Sequence, residues 1–77
     1  MEIKILGSGC MKCNKLYELV EETVKEIGID ANVEKITDFK DILSYGVMKT
    51  PGLVIDNKVK ASGRIPSKDE IRKLLSE

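Results

Sequence analysis

EIKILGSGCMKCNKLYELVEETVKEIG, residues 2–28, is the stretch that decides the fold. It opens with EIKIL, an alternating, Ile-rich run that predicts a strand over residues 2–6. Gly7-Ser8-Gly9 breaks that strand. Cys10 and Cys13 follow, and they are the only cysteines in the chain. From there Cys13, Leu16, Tyr17, Val20, Val24 and Ile27 recur at intervals that keep them on one face of a helix. Glu18, Glu21, Glu22, Lys25 and Glu26 fill the opposite face. Gly28 suits the left-handed position that ends such a helix. The segment therefore reads as a strand, a glycine-rich break, a cysteine pair and a helix of about residues 11–27.

Outward from this unit, ANVEKI at 31–36 predicts a second strand. Asp38 can cap a short helix with Phe39, Ile42 and Leu43 as its apolar stripe, closed by Gly46. KTPG at 49–52 is a turn. LVI at 53–55 and KVKA at 58–61 flank Asp56-Asn57, a hairpin signal, and Gly63 breaks the second of these strands. Ser67 to Glu70 fits the S-x-x-E capping box of a last helix whose apolar side is Ile71, Leu74 and Leu75. The order β-α-β-α-β-β-α makes the first crossover right-handed, with its two strands parallel. The hairpin adds antiparallel strands. The expected fold is α/β: a four-stranded mixed sheet with helices on both faces, in a single domain over residues 1–77.

Composition narrows the function. At 77 residues the core is modest, since roughly 60–65% of the unfolded surface can be buried at this length. Thirteen basic and thirteen acidic residues cancel, which argues against nucleic acid and against a polybasic membrane anchor. With one Phe, two Tyr and no Trp there is no platform for stacking bases. The N-terminus is too soon charged for a signal peptide, and no run approaches a membrane span. The expected location is the cytoplasm, where a cysteine pair is more often catalytic or metal-binding than structural.

The cysteine pair admits three chemistries. A structural zinc site needs four ligands, and two Cys with no His cannot close one alone. Copper(I) suits two thiolates, but small copper carriers with this motif end on a strand, whereas this chain ends on a capped helix. A structural staple across a four-residue loop removes only ~2 kcal/mol of unfolded-chain entropy. Thiol–disulfide exchange fits better. Cys10 stands at a helix start, where unpaired N–H groups and the macrodipole favour a thiolate. Cys13 lies on the apolar stripe and is shielded. Residues i and i+3 there are close enough for a disulfide to form and reopen. Cys10 is then the nucleophile that attacks a partner's disulfide, and Cys13 the residue that resolves the mixed disulfide.

The element order, the C-x-x-C after strand 1 and Thr50-Pro51 before strand 3 together resemble the thioredoxin/glutaredoxin family. The nearest likeness is to its small, glutaredoxin-sized redox-active disulfide proteins of archaea and bacteria. The resemblance covers nearly the whole chain. It implies an oxidoreductase that reduces protein disulfides, carries electrons in cell redox homeostasis and needs no cofactor beyond the Cys10–Cys13 disulfide. It implies a cis peptide bond at Pro51, and a backbone contact from Thr50 to the partner chain. Met11 and Lys12, between the cysteines, and Gly63, after the last strand, complete the expected substrate-binding set. The implied partners are disulfide-containing proteins and a thioredoxin-reductase-type donor, met by a monomer. The sequence departs from the family in places. Met11-Lys12 replaces Gly-Pro or Pro-Tyr, Lys4 stands where thioredoxins keep a buried Asp, and the glutathione-holding signature is not clear in ASGRIPSKDE, which argues against glutathione. A metal carrier or a redox-sensing binding module remains the alternative class.

Overall fold

Residues 1–7 and 10–76 are described by the structure, a computed structural model. Among them run β1 (Glu2–Leu6), α1 (Met11–Ile27), β2 (Asn32–Ile36), α2 (Phe39–Ser44), β3 (Gly52–Ile55), β4 (Lys58–Ser62) and α3 (Lys68–Ser76). The strands form one sheet in the order β2-β1-β3-β4. β1 is central. It pairs parallel with β2, Ile3 beside Val33, and antiparallel with β3, Leu6 beside Gly52. β3 and β4 form the hairpin, with a register shift between Leu53 and Val54. Both residues of its turn, Asp56 and Asn57, have positive φ, as a two-residue turn matched to strand twist requires. Sheet and helices together make the mixed α/β fold expected.

Alternation along β1 sorts the core into two layers. Ile3 and Ile5 face α1 and α3, packing with Leu16, Val20, Leu53, Ile55, Ala61, Ile71 and Leu75. Leu6 faces the other way, packing with Ile42, Val47 and Val54. Each such fully buried aliphatic side chain contributes about 1.5–3 kcal/mol. All four residues of β3 are buried because α1/α3 cover one of its faces and α2 the other. The buried Thr23 satisfies its hydroxyl on the Leu19 carbonyl at 2.7 Å.

Two local expectations need correction. The stripe assigned to α2 is mostly not core: Ile42 is buried, but Phe39 is 70% exposed and Leu43 faces solvent too. A helix of six residues covers the sheet with a single side chain. The capping box at α3 is half made. Ser67 Oγ accepts from the Glu70 N–H at 3.2 Å, but the Glu70 carboxylate binds Arg64 through both oxygens instead of turning back. No helix among the described residues is long and apolar enough to cross a membrane.

α1 and α3 are also clasped electrostatically. Lys68 Nζ lies 2.6 Å from Glu26 and 3.8 Å from Glu22, and Arg72 reaches Glu26 at 3.2 Å. The Lys68 hydrogen bond, with the Lys68 and Arg72 charges, holds the Glu26 carboxyl below its usual value. A depressed carboxyl stabilises the fold above its unfolded pKa, and loses that contribution as pH falls through the folded one. Glu26→Gln should therefore lower Tm slightly at neutral pH, and the gap should close in acid. Melting curves at neutral pH and at roughly pH 3 test this. An equal gap at both would mean that Glu26 acts through something other than its charge.

Candidate active site

The site is built at one end of the sheet, where β1 ends and β3 begins. Cys10 is the N-cap of α1, with extended backbone (φ −96°, ψ 151°). Its carbonyl accepts the first helical bond, from Asn14 N–H at 3.1 Å. Its Sγ accepts from the Cys13 N–H at 3.1 Å, where a Ser or Asp oxygen normally caps. Cys13 stands one turn in and is bonded to Cys10, with 5.2 Å between their Cα atoms. The two sulfurs are not equivalent in access: Cys10 is half-buried, whereas Cys13 is 3% exposed.

Gly7 explains how Cys13 becomes buried. Its N–H closes the end of the parallel ladder on the Ile36 carbonyl at 2.9 Å. Its φ of +149° lies where side-chain-bearing residues are rarely found. A Cβ there would overlap the Cys13 sulfur and crowd Thr50 Cβ at 3.3 Å. The backbone thus passes directly under the disulfide, and Cys13, Gly7 and Thr50 are packed together.

The Thr50–Pro51 peptide bond is cis. Pro51 is buried and Thr50 is exposed. The Pro51 carbonyl accepts from the Gly63 N–H at 2.9 Å, which ties the end of β4 to the start of β3. The Cβ of Lys49 packs against Gly63, at 3.1 Å from where a Gly63 Cβ would stand. Thr50, Pro51 and Gly63 therefore lie in one strip beside Cys13. Met11, 89% exposed, and Lys12, also exposed, project into solvent between the cysteines. Met48, two residues before Thr50, is 86% exposed.

Lys4 lies one layer below, on the α2 side of the sheet. Its ammonium meets the Tyr45 hydroxyl at 2.9 Å and the Glu34 carboxylate at 3.9 Å. The Tyr45 hydrogen bond, then the neighbouring negative charges, raise its pKa. This position holds a cation, not a carboxyl. Among the described residues no group of three or more His, Cys, Asp and Glu is placed to hold a metal ion.

Residues 1–76 match the thioredoxin domain family. The chain is 47% identical over 76 residues to a thioredoxin of Methanothermobacter thermautotrophicus, spanning 99% of each chain. It is 45% identical over 73 residues to a thioredoxin of Methanocaldococcus jannaschii, spanning 95% of this chain and 84% of the relative. The chain belongs to the thioredoxin family. It is a thiol–disulfide oxidoreductase that acts through its C-x-x-C pair.

Within this thioredoxin domain, three positions beside the site carry no functional signal in the sequence pattern. Gly7 reads there only as a strand breaker, and the structure adds its close approach to Cys13. The available signal was a glycine directly between a buried strand and the cysteine turn. Met48 and Lys49 flank the Thr50–Pro51 strip, and nothing in their local sequence sets them apart from an ordinary turn.

Proposed function

We propose that the protein reduces disulfides in other proteins, with Cys10 as the attacking thiolate and Cys13 as the resolving thiol. The observation that supports this reading is the hydrogen bond from the Cys13 N–H to Cys10 Sγ at a helix N-terminus. In the reduced protein the same N–H, with the helix dipole, stabilises a Cys10 thiolate. Burial opposes ionisation of Cys13.

Cys10 Sγ attacks one sulfur of the partner disulfide. A Cys10–partner bond forms, the partner bond breaks, and the second partner sulfur leaves and takes a proton from solvent. Cys13 then gives up its proton and attacks Cys10 Sγ. The Cys10–Cys13 disulfide forms and the partner departs as a dithiol. The partner has gained two electrons and the protein has lost two. The exposed Thr50 backbone beside buried Pro51 holds the partner chain, Gly63 keeps that strip in place, and Met11 and Lys12 touch the partner from the helix side. A thioredoxin-reductase-type donor restores the dithiol in a cytoplasmic, monomeric protein, with no further cofactor.

Alkylation of the reduced protein against pH, read residue by residue by mass spectrometry, tests the assignment. Cys10 should label first, with a midpoint below the ~8.5 of a free cysteine. Equal rates, or faster labelling of Cys13, would reverse the roles.

A further inference from the structure

The charges at the start of α1 run against its dipole. Acids belong in the first turn of a helix and bases in the last. Here the last turn has its base, Lys25, but the first turn has no acid, and Lys12 and Lys15 occupy the N-terminal turns. Lys35 adds to this end. Its ammonium rests 4.6 Å over the Tyr17 ring and 3.4 Å from Asn14 Oδ1, against the first turns of α1. On the other side of the disulfide stands Lys49, next to Thr50 and exposed. Among the described residues, Lys12, Lys15, Lys35 and Lys49 form no ion pair; Lys25, Lys40, Lys58 and Lys73, elsewhere on the surface, form none either. A chain of zero net charge has thus placed unpaired cations on both flanks of its disulfide. Arrangements that break a local stability rule are expected where function is served.

We propose that this lysine rim selects partner proteins whose reducible disulfide is flanked by acidic residues. This rests on the reading of the protein as a disulfide reductant and names its substrate class. The occupant is a partner loop that brings Asp or Glu beside its cysteines. Complementary charge of this kind speeds encounter and rejects like-charged partners.

The test uses cystine-bridged peptides with Asp, Ser or Lys flanking the disulfide, attacked by the pre-reduced protein. Each rate is divided by that of cysteamine, whose attacking thiolate is balanced by its own ammonium group, to remove intrinsic reactivity. The Asp peptide should react ~10-fold faster than the Lys peptide in low salt, with the gap nearly gone at ~0.5 M salt, where screening is complete within a few ångströms. The double variant Lys15→Glu/Lys49→Glu should reverse the order. Lys58→Glu, at the far end of the β3–β4 hairpin, should preserve it. Rates within about two-fold across the peptides in low salt, or a preference that survives high salt or the double variant, would overturn the proposal. Uncharged hydroxyethyl disulfide separates the two levels. Wild-type protein that reduces it without charge preference among the peptides refutes the rim alone. Protein that fails to reduce it at all refutes the reductant reading and the rim with it.

Discussion

Cys10→Ser should abolish attack on disulfides, while Cys13→Ser should still attack and then stop as a mixed disulfide on Cys10. The two variants remove the same atom from positions three residues apart, yet their products differ completely. Cys10 has the access and the capping N–H; Cys13 has neither free access nor a bare helix end. Loss of Cys10 takes away the nucleophile, so turnover should fall by three orders of magnitude or more, to the background of solution thiols. Loss of Cys13 leaves the first step intact, and release then depends on slow external thiols. Intact-mass spectrometry after incubation with a disulfide-bonded protein reads both results. A covalent adduct on Cys10→Ser, or none on Cys13→Ser, would contradict the assigned order of attack.

Gly7→Ala should be strongly destabilising. Two costs combine. The alanine Cβ is forced into a backbone region it rarely adopts, and it collides with the Cys13 sulfur and with Thr50 Cβ. Strain of this kind costs about 1–3 kcal/mol and overpacking typically another 1–3. A loss of about 2–6 kcal/mol follows, against the roughly 4–12 kcal/mol available to a domain of this length. Gly28→Ala is the control. Gly28 also has positive φ, +69°, but nothing lies within 4 Å of its Cβ position, so only the backbone cost remains. Urea unfolding of both variants measures the difference. If the two lose the same stability, the close approach of backbone and sulfur has no energetic weight.

Much of the fold was legible because apolar periodicity changes with each element. The alternation of EIKIL and the helical spacing from Cys13 to Ile27 give β1 and α1 with their observed bounds. Asp56-Asn57 marks the hairpin turn because few other residues tolerate two successive positive φ values. Phe39 and Leu43 misled for a definite reason. Periodicity records which side chains share a face, not whether another element is present to cover it. Glu70 misled likewise, since its competing partner Arg64 comes from the preceding loop and not from the helix. Within the site, cysteine spacing identifies the reactive pair directly. That the Thr50–Pro51 strip lies beside Cys13 rests on β1 pairing with β3, and only family resemblance suggested it from sequence. The approach of Gly7 to Cys13 depends on where α1 returns over the strand, and a one-dimensional pattern does not encode that.

The strand order carries a further consequence, for solubility. GLVI, the most apolar and β-prone strand, is hydrogen-bonded on both sides as β3. The open edges belong to NVEKI and KVKAS, whose charged side chains resist docking of another chain. The register shift in the β3–β4 ladder also interrupts the regular pairing next to one of these edges. While folded, the protein thus offers no adhesive strand among its described residues. Heating past the melting point releases GLVI from a chain whose isoelectric point is about 6.3, with little charge at neutral pH to keep copies apart. Colloidal stability here is a property of the native topology, not of the composition.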